Sequence, residues 1–308
     1  MDYTTFGRTG LKVSRIAFGA GPIGYLGSSQ DQAGKVLNLL LDRGVNVIDT
    51  AAAYLGSEEL IGKAVGHRRN AFVLVSKCGR KVDGVNGEDW SPTLVTETVD
   101  RSLRRLGTDH LDVMLLHSCD QAVLERGEAL GALLRAKEAG KIRFAGYSGD
   151  NEAATFAVAQ PGVDVLMCSA NLCDQANLDG ALAAAAQAGT GVIVKRSVAN
   201  TAWKPLDAQM GIYRDYVKPY KDRFTAMGLE PKALGYSGEE DWLEIALRFT
   251  LALKTAQVVS IGTTNPVNAE ANLRILEKGP LAKDAVAVIR QAFQKAQERL
   301  GTTWPGLT

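Results

Sequence analysis

Four side chains with acid–base chemistry close or follow short apolar runs in the first half of the chain. Val47-Ile48-Asp49-Thr50-Ala51-Ala52-Ala53-Tyr54 places a carboxylate at the end of one run and a phenol shortly after it. Phe72-Val73-Leu74-Val75-Ser76 runs into Lys77, and Leu111-Asp112-Val113-Met114-Leu115-Leu116 runs into His117. If the three runs are parallel strands, Asp49, Lys77 and His117 stand at the carboxyl ends of successive strands, with Tyr54 just beyond the first. In a parallel α/β barrel that end of the strands carries the chemistry. An ammonium stabilises a nearby phenolate, a carboxylate keeps the ammonium charged, and an imidazole can donate to an oxygen that gains charge. Each residue also has a plainer use, as a packed aromatic, a helix cap, a solvated lysine or a core histidine. Their joint occurrence on consecutive strand ends is what points to catalysis.

The elements needed to position them are legible as an alternation. Ile16-Ala17-Phe18 reads as a first strand. The run ending at Asp49 is followed by a helix near residues 58–65, and the run ending at Lys77 by a helix opened by Ser91-Pro92. Pro92 suits a first helical position, and Val95, Val99, Leu103 and Leu106 keep helical spacing. The run ending at His117 leads to a helix through Leu133, and residues 141–148 to a short helix near 152–159. Residues 163–168 lead to an alanine-rich helix at 181–188, expected to pack closely on its neighbours. Residues 191–195 form a seventh strand, residues 200–238 read as a long irregular stretch, and a helix is expected at 242–253. Val258-Val259-Ser260-Ile261 is the eighth strand, with its helix at 268–276. Right-handed crossovers make such strands parallel, and eight of them close a sheet. The fold class is therefore α/β, a (β/α)8 TIM barrel. A β-hairpin over residues 2–14, turned at Gly7-Arg8-Thr9-Gly10, precedes it, and Val286, Ile289 and Phe293 mark an extra C-terminal helix. With no linker, repeat or low-complexity tract, residues 1–308 are expected to form one domain.

Composition excludes several function classes. Basic and acidic residues nearly cancel, to a net +1, and no basic stripe suggests nucleic acid. No apolar run approaches the roughly 18 residues of a membrane span. The segment Met1-Asp2-Tyr3-Thr4-Thr5-Phe6 lacks a signal-peptide core, so a cytoplasmic location is expected. Four cysteines without a Cys-x-x-Cys pair, and three histidines, predict no metal site. Gly19-Ala20-Gly21-Pro22-Ile23-Gly24 is literally G-x-G-x-x-G, but the Rossmann fingerprint needs a helix starting inside the glycines. Here the stretch through Ser29 reads as loop, with a helix starting near Asp31.

Asp49, Tyr54, Lys77 and His117 together resemble the catalytic tetrad of the aldo-keto reductase superfamily. The segment Phe6-Gly7-Arg8-Thr9-Gly10-Leu11-Lys12-Val13-Ser14 is similar to that family's N-terminal hairpin. Asp49-Thr50 through Tyr54 to Glu58-Glu59-Leu60-Ile61-Gly62 resembles its first signature. Ser102-Leu103-Arg104-Arg105-Leu106-Gly107 through Leu111-Asp112 to His117 resembles its second. The resemblance covers essentially the whole chain. It implies hydride transfer between a nicotinamide cofactor and an aldehyde, ketone or sugar. Tyr54 would be the general acid/base, Lys77 would lower its pKa, Asp49 would fix Lys77, and His117 would orient the substrate oxygen.

The resemblance also implies a cofactor lying extended across the strand ends. Gly21, Asp49, Ser148 and Asn171 are expected near it, with Gly149 where the family usually has asparagine and Met167 where it commonly has glutamine. Arg196 would stack on the nicotinamide, and Ser197 and Asn200 would reach the pyrophosphate. Gly262, Thr263, Thr264, Asn268 and Asn272 would take the adenosine end. Many relatives carry lysine and arginine there, whereas this chain has Gly262 and Asn268. Hydroxyl and amide donors also bind phosphate, and the expectation is NADP(H) in preference to NAD(H). Tyr25, Trp90 and Trp203, with Tyr54 and His117, are the expected substrate contacts. Two alternatives stand beside this reading: an NAD-dependent sugar (aldose) dehydrogenase, and a nucleotide-sensing subunit of weak activity. Monomer and homo-oligomer are both compatible with the sequence.

Overall fold

The computed structural model describes residues 1–308. It opens with an antiparallel pair, β1 (Tyr3–Thr5) and β2 (Lys12–Ser14), in which Tyr3 faces Ser14. Eight parallel strands follow: β3 (Ile16–Gly19), β4 (Val47–Asp49), β5 (Val73–Cys78), β6 (Leu111–His117), β7 (Ile142–Ser148), β8 (Val163–Ser169), β9 (Gly191–Lys195) and β10 (Val258–Ile261). They pair in sequence order, and β10 pairs back onto β3, which closes the expected (β/α)8 barrel.

Strand side chains alternate between faces, and the two faces belong to separate apolar clusters. Val47, Val73, Val75, Val113, Leu115, Val165, Met167, Ile193 and Val258 fill the barrel interior with Phe6 and Val13 of the hairpin. The opposite parity, including Ile48, Leu74, Met114, Leu116, Leu166 and Val194, packs under the helices in a larger cluster. The inward parity ends in polar residues at the carboxyl mouth: Asp49 after Val47, Lys77 after Val75, His117 after Leu115, Lys195 after Ile193 and Ser260 after Val258. The hairpin seals the other end. A β-carbon at Gly7 would stand 2.3 Å from the backbone nitrogen of Gly191, and Gly7 has φ of +49°, so this contact requires glycine.

Outside the strands lie α1 (Gly21–Tyr25), α2 (Gln30–Asp42), α3 (Ser57–Val65), α4 (Pro92–Leu106), α5 (Gln121–Arg126), α6 (Glu128–Glu138), α7 (Asn151–Ala159), α8 (Ala181–Ala188), α9 (Tyr213–Met227), α10 (Trp242–Ala252), α11 (Pro266–Glu277) and α12 (Lys283–Leu300). No helix is long and apolar enough to cross a membrane. Ser29 and Ser91 accept N-cap bonds from Gln32 and Leu94, and α8 buries Ala181, Leu182 and Ala185.

Three expectations need correction. The glycine-rich stretch after β3 is not all loop, because α1 begins at Gly21 with Pro22 in its first turn. The helix expected through Leu133 is two helices, broken where Gly127 takes a left-handed conformation. Residues 200–238 are not irregular throughout: α9 buries Val217, Tyr220, Arg223 and Met227 along one side despite an internal Pro219.

Candidate active site

The mouth of the barrel opens into a cavity of about 580 Å³ lined by Asp49, Tyr54, Lys77, His117, Ser148, Lys195 and Ser260, among others. That volume lies within the range of small-molecule and cofactor sites. Tyr54 comes from the turn after β4, where the Thr50 amide donates to the Val75 carbonyl and the Tyr54 amide to Ala51. Lys77 is buried and donates to Asp49 Oδ1 at 2.5 Å and to the Thr50 carbonyl at 2.7 Å. Its ammonium lies 4.9 Å from the centroid of the Tyr54 ring. The Tyr54 ring meets His117 edge-on, with centroids 5.9 Å apart, and Tyr25 at 5.3 Å. The four side chains read from the sequence therefore converge on one wall.

Their electrostatics differ from the sequence expectation in one respect. Burial, then Asp49, push the Tyr54 phenol above its ordinary value. The ammonium expected to lower it is engaged by Asp49 and a backbone carbonyl, so the resting phenol holds its proton firmly. Burial also raises Asp49, against the pull of Lys77. His117 is held well below the usual histidine value by burial and then by Lys77, Arg80, Lys195 and Arg196, so it is a neutral imidazole near neutral pH. The wall thus presents a protonated phenol and a neutral imidazole beside a fixed ion pair.

Of the residues expected to hold a cofactor, Gly21, Asp49, Ser148, Arg196, Ser197, Asn200, Gly262, Thr263, Thr264 and Asn268 line the same cavity. Two do not. Asn171 is buried as a brace, donating to the Arg196 carbonyl at 3.0 Å and accepting from the Cys173 amide at 2.8 Å. Asn272 is buried beside Thr263, Ile261 and Leu273 in a separate small apolar pocket. Arg196 places its guanidinium 5.2 Å over the Tyr216 ring and donates to the Leu307 carbonyl, so its plane is already stacked within the protein.

Tyr25 lines the cavity, whereas Trp90 and Trp203 do not. The Trp90 ring covers the backbone of Gly79, and Trp203 stacks on Trp242 at 6.4 Å beside Phe224. The corresponding places in the cavity go to Tyr213 and Tyr216 of α9, to Arg80 and to Lys195. Lys195 had a readable signal, because Gly191-Val192-Ile193-Val194-Lys195 ends with the same parity as the run into Lys77. Tyr213 and Tyr216 had none, because the helix that carries them lies in the stretch that reads as irregular.

The model of the Aldo/keto reductase family matches residues 15–294. The chain belongs to that family. L-galactose dehydrogenase of Arabidopsis thaliana is 34% identical over 158 residues, 48% of this chain and 49% of that protein. Aldo-keto reductase YhdN of Bacillus subtilis is 34% identical over 160 residues, 48% of this chain and 47% of that protein. The match thus spans about half the length of these curated relatives. The holo-form structure of aldo-keto reductase AKR11C1 from Bacillus halodurans superposes with a TM-score of 0.79 at 25% identity, covering 95% of this chain and 96% of that one.

The donor set in this aldo/keto reductase fits the dinucleotide that its family uses. Arg196, Ser197 and Asn200 follow β9, and Thr263, Thr264 and Asn268 follow β10 at the start of α11. A helix N-terminus with hydroxyl and amide donors suits phosphate oxygens. Ser148 and Lys195 supply donors deeper in the cavity. Burial pulls Lys195 below the ordinary lysine value while Asp150 opposes the shift.

Proposed function

We propose that this chain is an NADP(H)-dependent oxidoreductase acting between a carbonyl and an alcohol, on an aldehyde, ketone or sugar, with Tyr54 as general acid/base. The observation that carries the reading is the convergence of Tyr54, the Lys77–Asp49 pair and His117 on one wall of the cavity whose rim holds the phosphate-type donors. When bound, NADPH supplies the hydride. The residues of the chain supply the rest. The His117 imidazole donates to the substrate oxygen and fixes its direction. As that oxygen gains charge, the Tyr54 hydroxyl transfers its proton to it. The phenolate left behind lies beside the Lys77 ammonium, which stabilises the charge until solvent returns a proton. In the oxidative direction the same phenolate accepts the alcohol proton.

The tyrosine faces of Tyr25, Tyr213 and Tyr216 suit the C–H surfaces of a sugar as well as aryl carbonyls. The likeness to L-galactose dehydrogenase is in keeping with a sugar. Among the lining side chains, Lys77 and Lys195 are paired with Asp49 and Asp150, while Arg80 and Arg196 remain as a cationic surplus that favours the more highly charged NADP(H) over NAD(H). The test is nicotinamide absorbance during turnover of a panel of aldehydes, ketones and sugars with each cofactor. Turnover with a higher kcat/KM for NADP(H) is expected. A preference for NAD(H) would remove the cofactor assignment, and no turnover across the panel would remove the activity.

A further inference from the structure

Lys195 is a charged side chain in the cavity to which the proton transfers above give no task. It is the inward residue that ends β9, across the ring of strands from β5 and Lys77. Its ammonium lies 2.9 Å from Asp150 Oδ2, and its side chain is only 16% exposed. Asp150 follows β7, has no exposed side-chain surface, and is itself clamped. The Ser169 amide donates to it at 2.6 Å, Asn177 Nδ2 at 2.8 Å and the Thr308 hydroxyl at 3.1 Å. The ammonium is therefore held at a fixed point by a rigid carboxylate.

An ammonium has three donors, and Asp150 is the acceptor that the protein offers this one. A largely buried cation with donors left over, opening on a cavity, calls for an acceptor on whatever fills that cavity. Neighbouring strand ends narrow the choice. Ser148 of β7 and Met167 of β8 line the cavity beside Lys195, so this side of the floor is polar at Ser148 and Lys195 and apolar between them.

Hydride transfer requires the donor carbon within about 3–3.5 Å of the substrate carbonyl carbon. The substrate oxygen belongs at Tyr54 and His117, on the β4 and β6 side, and the phosphate-type donors follow β9 and β10. A nicotinamide ring meeting both demands lies across the floor. The carboxamide is attached next to the reacting carbon, and the hydrogen-bonding groups left for it are those of Ser148 and Lys195.

We infer that Lys195 is a cofactor-positioning residue, its ammonium fixed by Asp150 and donating to the carboxamide oxygen of the nicotinamide, with Ser148 beside it. This rests on the dinucleotide reading proposed above. An ammonium in that place has a consequence that an amide side chain would not have: it favours a carboxylate over a carboxamide.

The test measures binding alone, by isothermal titration calorimetry with NADP⁺ and with nicotinic acid adenine dinucleotide phosphate, in which a carboxylate replaces the carboxamide. The unmodified protein is expected to bind the acid analogue at least as tightly as NADP⁺. Lys195→Met should weaken the analogue by about tenfold or more, the scale of a lost charged hydrogen bond, and NADP⁺ only a few-fold. Because Lys195→Met leaves Asp150 unpaired, the double variant Lys195→Met/Asp150→Asn removes both charges and should show the same selective loss. Rejection of the acid analogue by the unmodified protein, or equal effects on both nucleotides in the variants, would overturn the role of Lys195. Failure of the unmodified protein to bind either nucleotide would instead overturn the dinucleotide reading itself.

Discussion

Tyr54 holds its proton because burial and Asp49 both disfavour the phenolate. In the proposed reduction, phenolate would form as the substrate oxygen takes the proton, with Lys77 alongside. Tyr54→Phe keeps the ring and removes the transferable proton. It should lower kcat by about 10² to 10⁴ with cofactor affinity unchanged, read by steady-state kinetics and calorimetry. Asp49 and Lys77 stand on different ground, since both are buried and each is the other's counter-ion. Asp49→Asn leaves an ammonium in the barrel with a carbonyl for company, and should cost about 3–5 kcal/mol in chemical denaturation. Adding Lys77→Met should restore most of that stability while leaving the enzyme inactive, which separates the structural from the chemical use of the pair. His117 sets a pH dependence. Its folded-state pKa lies below the unfolded value, so the unfolded chain takes up a proton first as pH falls. Stability from this residue is complete above the ordinary histidine range and lost as pH drops from about 7 toward 5. His117→Gln should therefore show a smaller decline in melting temperature over that interval than the unmodified protein.

Helices of the outer ring meet closely at α3 and α4. A β-carbon on Gly62 would lie 2.7 Å from the Leu106 carbonyl oxygen and 2.8 Å from that of Arg105, both at the end of α4. Gly62→Ala should force the two helices apart and cost about 1–3 kcal/mol. Gly66→Ala, whose methyl would meet the same Leu106 oxygen at 3.8 Å, should change denaturation little. An equal loss from both would mean that the α3–α4 approach is not what Gly62 protects. The contrast also shows where sequence reading works. Barrel strands are legible because an apolar run of fixed parity must end at one mouth, and that parity alone places Asp49, Lys77, His117 and Lys195 there. α9 escapes it, because Arg214, Asp215, Lys218, Lys221 and Asp222 surround a narrow buried stripe and Pro219 interrupts the pattern. α1 is a short helix made mostly of turn-forming residue types. Direction is the other thing hidden: Trp90 and Trp203 follow strands as Tyr25 does, yet their rings turn to Gly79 and Trp242. Asn171 likewise spends its amide on the backbone of Cys173 and Arg196.

The chain as a whole is nearly neutral, yet its cavity keeps Arg80 and Arg196 beyond the lysines paired with Asp49 and Asp150, so the charge is arranged rather than merely present. Part of that arrangement depends on residues far from the strands. After α12 the chain runs back over the mouth. Asn151 exchanges two hydrogen bonds with Gly306, Leu307 donates to Asp174 at 3.0 Å, and the Leu307 carbonyl accepts from Ser169 and Arg196. Trp304 anchors this segment: it is 9% exposed, meets Phe293 of α12 edge-on at 5.1 Å, and lies 5.5 Å from the Arg223 guanidinium. Trp304→Ala should cost about 3–5 kcal/mol, the range for removing a large buried aromatic. It should also weaken NADP⁺ binding, because Arg196 loses the carbonyl that holds its guanidinium in place over Tyr216. A double-mutant cycle decides whether the second effect runs through Arg196. Arg196→Met should weaken binding in the unmodified background and add little once Trp304 is gone. Independent, additive losses in nucleotide affinity would show that the segment stabilises the barrel without positioning Arg196.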